Sequence, residues 1–338
     1  MKSSPRLGAL TAGLLAATSL AAVAHAAPGY AVTDRISIPD GGFDYASFDP
    51  VKHRVYVARA DGVTAIDAES KAVTGKLTAA GRTHEPLVVN GGAELLVTDS
   101  TSNSAHLIDA TTGKAIADIP TGKKPDAAVL DPATGLAVVA NGASGDLTLI
   151  DVATRKATGS IAVGGGLEFM APVGGGKLFV NVEDKNELVA VDLKSRKVLG
   201  RYPLKGCDGP TGLAYADKAG VVISACANNV AKVIDAKTGA DLATLAIGKG
   251  PDAVIYDAKR ELAFIPCGRD GVLDVVAVKG RKDVAVVAKV TTQPGARTGA
   301  LDPETGKLYL PTAKYTLAPG SRPAPTPGTF EVLVVSPQ

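Results

Sequence analysis

Short apolar runs alternate with turn residues along almost the whole chain. In residues 123–164 the runs DAAVLD, GLAVVAN, DLTLID and ATGSIAVG are rich in Val, Ile, Leu and Ala, and Gly, Asp, Asn, Pro and Thr separate them. The runs are too short for helices, and their apolar residues do not recur every 3.6 positions. The pattern predicts four β-strands in this stretch.

This four-stranded unit recurs along the chain. Its marker is an apolar pair followed by Asp, and the sixth copy has lost the acid: the marker ends at Asp67, Asp109, Asp151, Asp192, Asp235 and Ala277. The successive steps are 42, 42, 41, 43 and 42 residues. Such a steady period indicates a tandem array whose units bury their apolar faces against their neighbours.

The two ends of the chain complete each other. The first strand, within residues 30–38, reads like the closing strand of a unit, and the chain ends with three strands and no fourth. If residues 32–38 lie beside residues 330–335, neither end leaves a free sheet edge. The sequence therefore predicts an all-β fold, a seven-bladed β-propeller with four antiparallel strands per blade, in which the N-terminal strand completes the last blade.

The N-terminus has the features of a secretory signal peptide over residues 1–26. Lys2 and Arg6 precede an apolar stretch, and Ala24-His25-Ala26 is a small-residue cleavage motif. Cleavage is expected after Ala26, or after Ala24 as a second choice. No later stretch of 18 residues is apolar throughout, so we expect no membrane span and a periplasmic or secreted protein. Residues 27–338 then form one propeller domain, expected to be a monomer.

Charge argues against nucleic acid as a partner. Without Lys2 and Arg6 the 36 basic residues fall to 34, which equals the number of acidic residues. Binding to a polyanion ordinarily requires a basic surplus, which the balance of the chain does not offer.

The last unit contains a proline-rich insertion over residues 312–329, TAKYTLAPGSRPAPTPGT. Loops of this length inside a domain are usually functional or irregular. Two interpretations stay open: a solvated surface loop, or a flap that brings Lys314, Tyr315 and Arg322 to the channel mouth.

The repeats resemble those of a known family. LIDATTGKAIADIPTG and KGPDAVIYDAKRELAFIPCG, together with VYVA and AVVAN strands, are similar to the YVTN-repeat, YncE-like β-propellers, which are secreted proteins of bacteria and archaea. The similarity runs over residues 30–338. It implies a seven-bladed propeller that acts as a non-enzymatic binding or scaffold module, although at least one relative is associated with DNA.

Acidic residues recur where the innermost strand of each unit begins. Superposing the units on Asp126 gives one set of residues, five of them acids: Asp44, Glu85, Asp126, Glu168, Thr211, Asp252 and Arg297. Innermost strands line the channel of a propeller, so these side chains are expected to form a ring at one mouth. Crowded carboxylates raise one another's pKa values or recruit a cation. An alternative is that each acid caps a turn or pairs with a neighbouring blade.

His84 precedes Glu85 and is the only histidine after the predicted cleavage site that this pattern places beside the ring. A histidine next to carboxylates could complete a site for a divalent cation, although single histidines more often only hydrogen-bond. No cofactor is otherwise indicated.

The three cysteines suggest one disulfide, since an exported protein folds in an oxidising compartment. Cys207 precedes the first strand of the fifth unit and Cys226 ends its second strand, so antiparallel pairing brings both to one end of the blade. We predict a Cys207–Cys226 disulfide, with Cys267 free or as the alternative partner.

Two functions follow from these features. The first is a non-enzymatic binding or scaffold propeller whose acidic mouth binds a small cationic ligand or a protein or peptide, with no catalytic residue. The alternative is a metal-dependent hydrolase or lactonase, in which Glu85, Asp126, Glu168 and Asp252 hold a divalent ion and His84 acts as a base.

Overall fold

The computed structural model of the protein describes residues 1, 29–316 and 324–338. Apart from Met1, the expected signal peptide lies outside the described residues. The strands form seven four-stranded antiparallel sheets, and the innermost strand of each sheet packs beside the innermost strands of its neighbours in a ring. The predicted seven-bladed β-propeller is therefore confirmed.

Blades 1 to 6 are each built from four consecutive strands, which follow one another from the channel outward. Blade 1 contains Phe43–Asp49, Arg54–Arg59, Gly62–Asp67 and Val73–Ala79; blade 2 contains Thr83–Val89, Glu94–Asp99, Ser104–Asp109 and Ala115–Pro120; blade 3 contains Pro125–Asp131, Leu136–Asn141, Asp146–Asp151 and Lys156–Ala162. Blade 4 contains Leu167–Gly174, Lys177–Val182, Glu187–Asp192 and Lys197–Pro203; blade 5 contains Pro210–Ala216, Val221–Cys226, Val230–Asp235 and Asp241–Ala246; blade 6 contains Ile255–Asp257, Leu262–Cys267, Val272–Gly280 and Asp283–Thr291. Two 3₁₀ turns, Asn90–Gly92 and Glu183–Lys185, lie within this series.

Blade 7 joins the two ends of the chain. Its strands, from the channel outward, are Ala300–Leu301, Leu308–Thr312, Glu331–Pro337 and Tyr30–Ser37. The outermost strand pairs antiparallel with the last strand of the chain, with Val32 opposite Val335 and Ile36 opposite Val332. The predicted closure by the N-terminal strand is confirmed, and it gives blade 7 the fourth strand that the C-terminal segment lacks.

Apolar side chains of adjacent blades interlock to form the core. Val138 and Leu149 of blade 3, for example, belong to one buried cluster with Leu178 and Val189 of blade 4. Polar side chains fasten the blades to one another near the channel: the Thr298 hydroxyl donates to the Asp44 carbonyl at 2.7 Å. Such bonds satisfy backbone groups that the irregular starts of the innermost strands leave free.

The Asp residues that mark the repeat have a structural role. Each lies at the turn between the third and fourth strands, where the Asp67 carboxylate, for example, accepts the backbone N–H groups of Glu69 and Ser70 at 3.2 and 2.8 Å. In blade 6, where Ala277 replaces the acid, the third strand continues to Gly280 and the turn is displaced outward. The loss of the marker therefore coincides with a longer hairpin.

Cys207 and Cys226 form a disulfide with a Cα–Cα distance of 5.5 Å, which confirms the predicted pairing. Cys267 is buried and takes no part in a disulfide in the described part of the chain.

Part of the proline-rich insertion forms a short hairpin in which Tyr315–Thr316 pairs with Ala324–Pro325. Arg322, which the flap interpretation included, lies outside the described residues. Within residues 29–316 and 324–338, no helix has the length and apolar character that crossing a membrane requires.

Candidate functional site: an acidic mouth of the channel

Strand register defines the equivalent positions of the ring. Asp126 follows Pro125, which lies opposite Asn141, the last residue of the second strand. In blade 2 the residue opposite the end of the second strand is Thr83, so the position equivalent to Asp126 holds His84 and not Glu85. This corrects the superposition made from sequence. The same register gives the expected residues in the other sheets where pairing defines it: Asp44, Glu168, Thr211 and Asp252.

His84 joins two of the carboxylates. Its Nδ1 lies 2.7 Å from Asp44 Oδ2 and 3.4 Å from Asp126 Oδ1, and its Nε2 lies 3.0 Å from Ser100 Oγ. Lys124 reaches the other Asp126 oxygen at 3.3 Å. Burial lowers the pKa of His84, but the hydrogen bond to Asp44 and the charge of Asp126 outweigh burial, so the net shift is upward.

Arg297 forms the second charged group of the mouth. Its Nε donates to Asp252 Oδ2 at 2.7 Å, and its Nη2 lies 3.6 Å from Asp44 Oδ1 and 3.5 Å from the Phe43 carbonyl. Burial raises the pKa of Asp252 to about 6, although the Arg297 charge opposes the shift. Asp252 therefore pairs with a side chain of the neighbouring blade, which is the alternative role that the sequence analysis gave to the acids of the ring.

Two glutamates of the mouth differ from Asp252. Burial raises their pKa values, and neither is bonded to a cation that would lower them. Glu85 is only 5 % exposed, and within the described residues no hydrogen bond or ion pair involves its carboxyl group. Burial raises its pKa well above the usual range, and the charges of Asp44 and Asp126 add to the effect. Burial raises the pKa of Glu168 to about 9, with contributions from Asp126 and Glu183. Glu168 therefore holds a proton at neutral pH.

Two aromatic side chains from opposite blades close the channel below the ring. Tyr45 of blade 1 is buried, and its ring centroid lies 5.0 Å from that of Phe169 in blade 4. Both belong to or pack against one apolar cluster with Ala127 and Leu167. Because these positions follow Asp44 and Glu168 directly, the mouth is a cup with an apolar floor and an acidic wall.

A cavity of about 640 Å³ opens at the mouth beside blades 5 to 7. Thr211, Asp252 and Arg297 line it, so three of the residues predicted from sequence meet there. Tyr315 of the insertion also lines it, which places one of the three residues of the flap interpretation at the mouth. This volume is in the range of small-molecule sites in proteins.

Several residues of the site carried no recognisable signal in the sequence. Ser100 contacts His84 within blade 2, and Lys124 contacts Asp126 within blade 3. Arg269 and Glu183 line the cavity from loops: Glu183 lies in the 3₁₀ turn after the second strand of blade 4, and Arg269 follows the second strand of blade 6. Tyr45 and Phe169 could have been noticed, since both are aromatic residues next to ring acids. The site as a whole offers carboxylates, one imidazole and two guanidinium groups around a blind cup, an arrangement suited to holding charged groups.

Comparisons with known proteins identify the fold. No protein-family model matches the chain, and no curated protein matches its sequence. Among solved structures, the chain is similar to one titled "Kuenenia stuttgartiensis Hydrazine Synthase", with a TM-score of 0.71, 18 % identity and coverage of 81 % of this chain and 94 % of the other.

Two further structures match over more of the chain. One is titled "Crystal Structure of Mitotic Checkpoint Complex", with a TM-score of 0.74, 13 % identity and coverage of 97 % and 98 %. The other is titled "Structure of U3-55K", with a TM-score of 0.74, 9 % identity and coverage of 92 % and 100 %. At these identities the similarity establishes the propeller architecture and no shared activity.

Proposed function

We propose that this protein is an exported, non-enzymatic binding propeller of the YVTN-repeat type, whose acidic mouth binds the positively charged group of a small molecule or of a protein or peptide partner. One observation carries the proposal: Glu85 and Glu168 are crowded among other carboxyls, and neither forms an ion pair with a cation of the described residues. A ligand ammonium or guanidinium group would stabilise the carboxylate forms of these side chains, which burial disfavours.

The shape of the mouth supports the same function. The floor formed by Tyr45 and Phe169 turns the channel into a cup, and the adjoining cavity of about 640 Å³ has room for the remainder of a ligand. Arg269 is exposed at the cavity and makes no ion pair within the described residues, so it is available to an anionic group of the same ligand.

Export is part of the proposal and rests on two features. The N-terminal sequence has the composition of a signal peptide. The Cys207–Cys226 disulfide suits an oxidising compartment such as the periplasm.

Calorimetric titration tests the binding function. Spermidine, arginine methyl ester and a Gly-Lys dipeptide serve as cationic probes, and glutarate serves as an anionic control. We expect at least one cationic probe to bind, and the double variant Asp126→Asn, Asp252→Asn to bind it about tenfold or more weakly, because each lost carboxylate removes a charged contact.

The matched control is Glu69→Gln, Glu304→Gln, which removes two negative charges from exposed positions away from the mouth. It should bind like the unchanged protein. Equal weakening in both double variants would mean that only net charge matters, and would refute a site at the mouth.

A metal-dependent hydrolase is the second candidate, favoured by the convergence of Asp44, His84 and Asp126 on one point. The ligand set differs from the one expected from sequence, because Asp252 pairs with Arg297 and His84 lies among the candidate ligands. Hydrolysis of γ- and δ-lactones with and without added Zn²⁺ tests it. A rate that rises with Zn²⁺ and is lost in Asp44→Asn would support catalysis, and no rate above background would exclude it for these substrates.

A further inference from the structure

Three atoms in the mouth converge as metal ligands do. His84 Nδ1, a carboxylate oxygen of Asp44 and a carboxylate oxygen of Asp126 all lie within 4.8 Å of one another. Asp44 belongs to blade 1, His84 to blade 2 and Asp126 to blade 3, so three consecutive blades contribute one ligand each. Ligands of one ion about 2.0 to 2.2 Å from the metal are themselves about this close together.

The opposite side of each ligand is held by a second residue. Ser100 Oγ lies 3.0 Å from His84 Nε2, Lys124 Nζ lies 3.3 Å from Asp126 Oδ2, and Arg297 Nη2 lies 3.6 Å from Asp44 Oδ1. These partners leave Nδ1, Oδ2 of Asp44 and Oδ1 of Asp126 facing one another. Such outer contacts are what orient histidine and carboxylate ligands in metal sites.

Both ring nitrogens of His84 have partners. Asp44 Oδ2 lies 2.7 Å from Nδ1, and Ser100 Oγ lies 3.0 Å from Nε2. A metal ion at this point would take the place of the proton on Nδ1, while Ser100 would continue to accept the N–H of Nε2.

Glu85 is the independent observation that points to a ligand. The residue is more than nine-tenths buried, and its carboxyl group makes no hydrogen bond or ion pair within the described residues. An unpartnered buried carboxyl is costly, so a natural partner is expected nearby. A cation between Asp44 and Asp126 would be such a partner.

We propose that Asp44, His84 and Asp126 form a site for a divalent transition-metal ion such as Zn²⁺, with Glu85 as the partner of a water molecule bound to the ion. The inference deepens the proposed function, on which it rests, by naming a cation of the acidic mouth. One imidazole nitrogen among carboxylate oxygens favours Zn²⁺, Co²⁺ or Mn²⁺ over Ca²⁺ and Mg²⁺, which take oxygen ligands almost exclusively.

Titration of the mature protein, stripped of metal with a chelator, tests the site. Co²⁺ is the spectroscopic probe, because its visible absorption reports the number and type of ligands, and Zn²⁺ is then added as a competitor. We expect one Co²⁺ per chain, displaced by Zn²⁺, and no displacement by an equal concentration of Mg²⁺.

His84→Gln and Asp44→Asn are the test variants, and each should weaken Co²⁺ binding about tenfold or more. His106→Gln is the matched control: His106 also lies between two carboxylates, at 3.0 Å from Asp99 and 2.6 Å from Asp118, but on the outer strands of blade 2. Thermal unfolding of each variant separates lost binding from lost folding. Undiminished binding in both folded test variants, or no Co²⁺ binding by the unchanged protein, would overturn the proposal.

Asp252→Asn distinguishes this inference from the proposed function. Asp252 is paired with Arg297 and lies outside the three converging atoms, so this variant should weaken the binding of cationic amines and leave Co²⁺ binding unchanged. Amine binding without Co²⁺ binding would overturn the metal site and leave the binding function standing.

Discussion

The turns at the outside of the blades and the mouth of the channel both contain acidic residues that recur with the period of the repeat, yet their environments are opposite. At the turns, backbone N–H groups three residues further along the chain lower the pKa values of Asp67, Asp109 and Asp151. At the mouth, burial raises the pKa values of Asp126 and Glu168. The first set is satisfied by its own turn, whereas the Glu168 carboxyl group of the second set makes no hydrogen bond or ion pair within the described residues.

This difference separates a structural role from a binding role in one repeat. A turn aspartate accepts its backbone hydrogen bonds from residues of its own turn. A mouth acid depends on which side chains the adjacent blades present, and among the described residues only three cations, His84, Lys124 and Arg297, make ion pairs with the ring carboxylates. Variation among blades at the mouth is therefore the place where binding specificity can arise.

Removing a turn aspartate should have the largest effect on folding. The buried Asp235 carboxylate accepts the Thr238 N–H at 2.6 Å, the Lys237 N–H at 3.0 Å and the Thr238 hydroxyl at 2.8 Å. We expect Asp235→Ala to lower the free energy of unfolding by about 2 kcal/mol, since several charge-assisted hydrogen bonds are lost together with the ion pair to Arg281 of the next blade. Urea unfolding measures this, and binding of cationic probes should not change. A loss of stability below about 0.5 kcal/mol would contradict a capping role.

Neutralising an acid of the mouth should raise the free energy of unfolding, whereas removing a turn aspartate lowers it. Glu168→Gln keeps the shape of the side chain and removes the need to bind a proton on folding. We expect the free energy of unfolding to rise by about 1 kcal/mol at pH 8, a discounted value because Glu168 is partly exposed. Urea unfolding beside Glu69→Gln, an exposed control, measures the change. Destabilisation of a similar size would show that the Glu168 carboxylate is satisfied in the fold.

The two sets of acids should give opposite slopes of stability with pH. Glu168 has a raised pKa in the folded protein, so the folded state binds more protons between its ordinary value of 4.5 and about 9, and stability falls as pH rises through that window. The turn aspartates have lowered pKa values, so their contribution is lost as pH falls below their ordinary value of 3.8. Unfolding free energies should therefore peak at about pH 5. A profile that keeps rising up to pH 8 would contradict the mouth electrostatics.

The smallest effect, a change in affinity for cationic amines, is expected from replacing Arg297, the arginine that the protein itself places at the mouth. Arg297 is partly exposed, and its guanidinium group forms ion pairs with Asp252 and Asp44. Arg297→Gln should strengthen the binding of a cationic amine by about threefold to fivefold, because it removes a competing like charge. Calorimetric titration checks the affinity, with Arg269→Gln as a comparison at the cavity rim. Weaker amine binding in Arg297→Gln would mean that this side chain helps to hold the ligand.

The fold was predictable because its signals are local and periodic. The spacing from Asp67 to Ala277 counted six blades, and the missing fourth strand at the C-terminus paired the ends of the chain in a seventh. The positions of Cys207 and Cys226 in one blade gave the disulfide. Each inference needed only strand order and antiparallel geometry.

The site was predictable only to within one residue. The step of 42 residues between Asp109 and Asp151 also separates His84 from Asp126, but similarity of residue type favoured Glu85 in the superposition. The contact of Ser100 with His84 depends on the register between the first two strands of blade 2, which the sequence does not state. The closure of the cup by Tyr45 and Phe169 depends on the width of the ring, a property of the assembled blades.

The pKa of Glu168 in the free protein tests most directly whether the mouth lacks a cation. It can be measured from the pH dependence of the side-chain carboxyl carbon resonance, with Glu168→Gln for assignment. We expect a midpoint of about 9, and a lower midpoint when a cationic ligand is bound, because the ligand stabilises the carboxylate. A midpoint near the ordinary value of 4.5 in the free protein would show that the mouth carboxyls are already satisfied, and would leave the binding proposal without its basis.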